Sequence, residues 1–572
     1  MKTEKIKYFS ILFIAILSLI SFFVKTHFLG NIEPASDEAG NIHWVQTIFQ
    51  SQHFFPLQYE NLNFIDSIKI DEQSVLHSIL KPIYISGIPL FTFTSLIYFV
   101  FGSFILDASV NNQIYLSIFA NSLFIFFLSS CLFLFIQTQK KNIEITIISI
   151  FFFLFISFSA FIYGFSTYGF HNVGILFFVV NAISTENYLT KLQEDNVNFK
   201  ENIKFYSLQT FALYSMYTNV FLIPTVFGLC ILFLEISIKK KLYEILKYSF
   251  FTIITLIPAL IVFIFSLFYI DTGQSFLHWG KWAFSVTTEK GIFDNFFITF
   301  MDNAQNWFKY NSFNFGKISF CLSLLGLYLL KNKYKIKILF LIPIAHFIVS
   351  TLMTGFTGAW DRTGAYLLPF NSLGLAYIFY LSLKVSYEGF SKKIAIQKIL
   401  IFPFILLITS KEIVKNFNMI LNPGLIKTVV WSKRYNDENK NTWKNALSSI
   451  NNKIPKNSYI ITSHNSERIF LSIFDYHQKK LNYLASLDSL DESLKSSHRI
   501  SNKKKLQETI KKNPNIYLII FNRKKPENLK KDSLQRILCE LNEAYCAKKL
   551  VIFDNIKFEH NIWNEISIYS LE

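Results

Sequence analysis

The sequence predicts a mainly α protein, a polytopic transmembrane bundle of about 10–13 helices followed by a small extracytoplasmic α/β domain. Three observations predict it. Of 572 residues, 51% are hydrophobic and only 17% are charged, whereas a soluble globular chain carries about a quarter charged residues. Uncharged apolar blocks recur along the first 410 residues. After residue 426 the pattern changes to β-rich runs alternating with charged helical stretches.

Residues 8–24 form the first apolar block, preceded by Lys2, Lys5 and Lys7 against the single acid Glu4. No small-residue cleavage site follows, so the block reads as a retained helix with its N-terminus inside. Further blocks fall at 83–106, 113–136, 145–163, 172–184, 205–218, 219–238, 248–270, 318–330, 338–353, 365–383 and 399–410. Several are shorter than the roughly 20 residues of a straight span, so the helix count stays a range.

The net charge of +17 finds its place in the loops rather than on nucleic acid. Loops 137–144, 185–204, 239–247, 331–337 and 384–398 hold 17 Lys and Arg, and the alternating loops 164–171, 271–315 and 354–364 hold four. The first set is cytoplasmic by the positive-inside rule and the second faces out. Two full spans within 83–136 would break this parity, so one block there is re-entrant or interfacial, or its boundaries shift. On either reading the outer segment 25–82 follows the first helix, with seven acids including Asp37 and Glu38 against Lys25, Lys69 and Lys81.

Residues 1–426 thus form the membrane domain and 427–572 the α/β domain, whose strand candidates are SYIIT, NYLAS, IYLIIF, LVIF and ISIYSL and whose helical stretches are 437–452 and 526–544. It carries no GxGxxG, no GxxxxGK[ST] and no Asp-x-Asp, hence no nucleotide signature. The five cysteines show no CxxC and suggest neither zinc nor redox chemistry. Cys539 and Cys546 could pair in an oxidising compartment, but on one continuous helix they would be roughly 10 Å apart, too far for a bridge, so a free state is expected at least as readily.

Only Asp107, Glu235 and His346 approach the apolar blocks, and His346 reads as a hydrogen bonder in helix packing. The polar chemistry concentrates in the outer loops. In PASDEAGNIHWVQTIF, Ser36 can cap a helix whose first turn holds Asp37 and Glu38, with Ile42, Val45 and Phe49 on one face. That piece is expected to lie along the membrane surface with Trp44 near the interface. The two acids either complement the helix dipole or do chemistry. Outer-loop aromatics Tyr168, Trp279, Trp282 and Trp307, with His171, serve as substrate contacts or as interface anchors.

The acid pair after the first helix, the Lys-Pro of LKPIYISGIPLFTFTSLIYFVFG, short aromatic-rich spans and DRTGAYLLPFNSLGLAY, in that order, resemble the GT-C glycosyltransferases. Within them the chain is most similar to protein O-mannosyltransferases and lipid A aminoarabinose transferases, which use polyprenyl-phosphate sugars. The resemblance spans roughly residues 1–415. It implies a GT-C-type bundle with Asp37 as catalytic base, Glu38 as second base or orienting group, and Lys81 and Arg362 on the donor phosphate. It further implies a polyprenyl-phosphate sugar donor and a glycan, lipid or protein hydroxyl acceptor, at the outer face of a bacterial inner membrane. Loop FSTYGFHN lacks the further acid of aminoarabinose transferases and offers only Tyr168 and His171. That departure argues against a two-acid metal site and leaves any divalent metal requirement open; no other cofactor is implied. Two rivals remain: an O-antigen polymerase or ligase, disfavoured because these outer loops hold Arg362 alone, and a lipid-linked sugar transporter or flippase, which calls for buried ionisable groups or repeats of broken helices.

Overall fold

The computed structural model describes residues 2–29, 39, 42, 46, 109–139, 143–157, 170–269, 296–311, 316–334, 336–352, 366–391, 401–421, 442–462, 465–475, 481–486, 516–523, 539, 551–560 and 563–570. Twelve helices build the bundle among them: α1 Lys2–Leu29, α2 Val110–Gln139, α3 Ile143–Ser157, α4 Phe170–Gln193, α5 Phe199–Ser215, α6 Tyr217–Leu232, α7 Ile238–Tyr269, α8 Phe296–Asn311, α9 Gly316–Tyr334, α10 Ile338–Leu352, α11 Leu368–Ser391 and α12 Ile401–Leu421. Tyr8–His27, Ile118–Ile136 and Val173–Gln193 are long and apolar enough to cross a membrane. The chain is a membrane protein.

Lipid tails are as apolar as Leu, so a spanning helix gains little by hiding aliphatic side chains and turns small and polar residues toward its neighbours. α1 follows that rule. Phe9, Leu12, Ile16, Leu19, Ile20 and Phe23 are exposed, while Ser10, Ile14, Ser18, Ser21 and Lys25 form the buried stripe. Blocks 205–218 and 219–238 become α5 and α6, separated at Met216, whose extended backbone (φ −164°, ψ 139°) breaks the helix. Asn219 ties the reversal by donating from Nδ2 to Ala212 O (2.8 Å), Ser215 Oγ (3.0 Å) and Gly174 O (3.1 Å).

One end of the bundle is tied by charge. Lys333 pairs with Glu144, Glu186 accepts from the backbone N–H groups of Lys337 (3.2 Å) and Ile338 (3.1 Å), and Glu244 accepts from Tyr188 (2.9 Å). Lys240 reaches Asp195 and the carbonyl of Leu192. Four of the five basic loops read from the sequence therefore meet at one end.

At mid-bundle α9 and α11 cross in backbone contact. A Cβ on Gly326 would strike the backbone of Gly374, and one on Gly374 the carbonyl of Ser323; only glycine permits that approach.

The α/β domain comprises α13 Trp443–Lys453, β1 Ser458–Thr462, α14 Asn465–Asp475, β2 Leu481–Ser486, β3 Ile516–Arg523, β4 Val551–His560 and β5 Trp563–Ser570. The five strand candidates all lie in one sheet of order β2-β1-β3-β5-β4. β1 pairs parallel with β2 and β3, and β5 runs antiparallel to β3 and β4. Ile460, Ile461, Leu518 and Ile519 are all buried, as expected for parallel strands covered on both faces. Thr442 caps α13 by accepting from Asn445 N (3.2 Å), and Trp443 stacks on Phe470 (4.5 Å, 2°).

One expectation needs correction here. Cys539 is disulfide-bonded, while Cys131, Cys230 and Cys321 are free. Trp307 Nε1 donates to His346 Nδ1 at 2.8 Å, which keeps both rings in the packing between α8 and α10, the role read for His346.

The glycine crossing is directly testable. Gly374→Val should destabilise the folded protein by about 1–3 kcal/mol or more through overpacking, read as thermal unfolding in detergent. Gly228→Ala in α6, where an added Cβ meets nothing within 4 Å, should be neutral or gain up to about 1 kcal/mol from helix propensity.

Candidate functional site

The end of the bundle opposite the paired charges carries the α/β domain. α1 fixes the direction: Ser10 hydrogen-bonds Thr146 at the start of α3 (3.1 Å), and Phe22 and Val24 pack against the cluster containing Trp443. α4 runs the other way, from Val173 at that cluster to Glu186 at the charged end.

The cluster that docks the domain joins Ala39 and Ile42, then Val110, Ile114 and Ile118 of α2, then Trp443, Phe470 and Ile473. Gln46 adds a polar tie, donating from Nε2 to the carbonyl of Ile473 at 3.1 Å. Ile42 was expected on a membrane-surface helix. It is instead 1% exposed and belongs to the cluster shared by α2 and the α/β domain. Both flanks of the stretch 47–108, Gln46 and Val110, lie at this end. Block 83–106, where the parity conflict arose, lies outside the described residues.

Asp37, Glu38, Lys81, Tyr168, Arg362, Trp279 and Trp282 lie outside the described residues. His171 is in the first turn of α4; its side chain is not described. Their described neighbours in the chain are informative. Ala39, directly after the acid pair, is fully buried in the docking cluster. Tyr366, four residues after Arg362, has its ring edge-on to Phe178 of α4 at 5.6 Å, and its hydroxyl lies 2.7 Å from where a Cβ on Gly174 would stand. The chain after the first helix, the start of α4 and the chain entering α11 thus reach the same end of the bundle.

Sequence reasoning missed the polar groups inside the helices. It ended the first helix at Val24 and left Lys25 in the outer segment, yet α1 continues to Leu29. Lys25 is 1% exposed and donates to Asn121 Oδ1 at 2.9 Å. The signal was present in the spacing of Ser10, Ile14, Ser18, Ser21 and Lys25, a helical stripe that the apolar-block criterion overlooks. Glu412, buried in α12 and accepting from Ser319 of α9 (3.2 Å), escaped in the same way.

No protein-family model and no curated protein sequence matches the chain. Among solved structures it is similar to an archaeal oligosaccharyltransferase, AglB from Archaeoglobus fulgidus, in complex with an inhibitory peptide and a dolichol-phosphate. The identity is 11% over 89% of this chain and 69% of that one, with a TM-score of 0.43. At that level no residue of one chain is mapped onto the other.

The docking cluster predicts its own sensitivity. Ile42→Asp buries an unpaired carboxylate between α2 and the domain, a cost of several kcal/mol. Limited proteolysis should then release the α/β domain at least tenfold faster, while the bundle keeps its helical circular dichroism.

Proposed function

We propose that this protein is an integral membrane glycosyltransferase of the GT-C type. It moves one sugar from a polyprenyl-phosphate carrier to a hydroxyl on a glycolipid, polysaccharide or protein, at the outer face of the inner membrane. The observation that carries the reading is the convergence, beneath the α/β domain, of the chain segments flanking the acid pair and Arg362, together with the start of α4. Two features support the outward placement of that end. The opposite end collects the basic loops, which the positive-inside rule assigns to the cytoplasm. The domain also holds a disulfide-bonded cysteine, a bond that persists in oxidising compartments.

The chemistry asks little of the protein beyond placement. The acceptor oxygen attacks the anomeric carbon as the bond from that carbon to the phosphate oxygen breaks, and a single displacement inverts the centre. The polyprenyl phosphate leaves as a monoester whose second pKa is near 6, so no general acid is needed. Asp37 takes the acceptor proton, with Glu38 beside it as orienting group. Lys81 and Arg362 hold the phosphate, Arg362 through its planar fork. Tyr168, His171, Trp279 and Trp282 line the sugar or acceptor side.

Transfer from a radiolabelled polyprenyl-phosphate sugar in reconstituted membranes tests this. Asp37→Asn should lower kcat by about 10²–10⁴-fold at unchanged protein level, and unchanged transfer would remove Asp37 from the mechanism. Arg362→Ala should raise the donor KM by about ten- to a hundredfold, the worth of a charge-assisted contact. A lipid-linked sugar flippase is the second reading, favoured by one observation, the buried Lys25. Flux of the carrier sugar across proteoliposomes without any transfer would select it.

A further inference from the structure

The charged end of the bundle also exposes apolar surface. Lys240 reaches Asp195 and the carbonyl of Leu192 (2.8 Å), and Lys247 reaches Asn202 Oδ1 (2.8 Å), so the first turns of α7 run beside the turn from α4 to α5, level with the paired charges. Yet Ile238, Leu242, Tyr243 and Leu246 there are 56–76% exposed. α5 begins alike, with Phe199 80% and Ile203 51% exposed. The two helices are neighbours, joined by the stack of Tyr206 on Phe251 (4.3 Å) and by Gln209 donating to Thr252 (2.7 Å). Both faces therefore belong to one margin of the bundle.

Cations sit on the same two faces. By helical spacing Lys239 falls within the arc of Ile238, Leu242 and Leu246, opposite the buried Glu244 and Tyr248, and Lys200 and Lys204 fall within the arc of Phe199 and Ile203. All three lysines are exposed. The other lysines of this stretch are bonded: Lys191 to Glu201 (2.7 Å), Lys240 to Asp195, Lys241 to the carbonyl of Leu232 (2.7 Å) and Lys247 to Asn202. Lys200, Lys204 and Lys239 make no hydrogen bond or ion pair among the described residues, since Glu201, between the first two, is taken by Lys191. The remaining exposed acids, Glu194 and Glu235, lie in the turns ahead of α5 and α7.

Water penalises an apolar patch of this extent, and hydrocarbon penalises unpaired ammonium groups. The layer that accepts both is the headgroup region, where apolar side chains enter the acyl boundary and lysines stay among phosphates. Unbonded lysines on such a face select headgroups of negative charge. We propose that the starts of α5 and α7 form a docking surface for anionic phospholipids of the leaflet at the charged end. Lys200, Lys204 and Lys239 take the phosphates, while Phe199, Leu242 and Leu246 enter the acyl boundary. This surface lies at the opposite end from the α/β domain and does not rest on the transferase reading. A soluble protein partner at the same margin is the competing occupant.

The full-length protein in neutral detergent, with no other protein present, is titrated with phosphatidylglycerol and with phosphatidylcholine, and bound lipid is counted by native mass spectrometry. Wild type should bind phosphatidylglycerol at least about tenfold more tightly than phosphatidylcholine at low salt, and about 0.5 M salt should remove most of that preference. Lys200→Gln, Lys204→Gln and Lys239→Gln combined should bring the preference within about threefold, whereas Arg at the same three positions should keep it. Should the combined variant fail to fold, Lys239→Gln alone should weaken phosphatidylglycerol binding about threefold. An undiminished preference in the Gln variants overturns the proposal. So does a wild type that binds both lipids alike, the result a protein-docking face would give.

Discussion

Placing an ionised side chain in hydrocarbon costs several kcal/mol unless it is paired or reaches water, and the bundle is arranged around that cost. At the charged end Glu144 meets Lys333, Glu186 takes two backbone N–H groups, and Glu244 meets Tyr188 and Lys247. Apart from the Glu244–Lys247 pair within α7, these bonds cross from helix to helix, so the groups at this end also hold α3, α4, α7 and α9 in register. Lys25, at the other end, has only a neutral amide. The asymmetry is physical: the carboxylates of the charged end are shared between helices by cations, a hydroxyl and backbone N–H groups, whereas Lys25 rests on a single neutral partner.

Between the two ends, packing rests on absence of bulk. Gly326 and Gly374 let α9 and α11 touch through their backbones, and Gly174 leaves room for Met216 and Tyr366. Close approach recovers the dispersion that lipid would otherwise supply. It also fixes Tyr366, just ahead of α11, against the first turns of α4. The α/β domain then roofs that end through Trp443, Phe470 and Ile42.

Much of the fold was legible because its signals are local. All five strand candidates pair in one sheet, since each run carries its own β-branched and aromatic pattern. Basic loops sorted by charge meet in space, since the cost of translocating Lys and Arg acts on each loop separately. The errors came where a neighbour decided. Ile42 had an apolar face, and the choice between headgroups and the α/β domain was made by a surface some 400 residues further along the chain. The partnership of Trp307 with His346 likewise joins residues 39 positions apart.

The candidate site divides the same way. The acid pair, Lys81 and Arg362 were singled out by their order along the chain, a linear property. Lys25 and Asn121 are separated by 96 positions, and no linear pattern joins them. By itself the sequence determined that the chain inhabits a bilayer, which loops stay on the basic side and that an α/β domain follows, because hydropathy and charge are sums over neighbouring residues. Only the tertiary structure decided which polar atoms are buried together and which lysine is enclosed among neutral groups, because desolvation depends on what packs against a side chain from elsewhere in the chain.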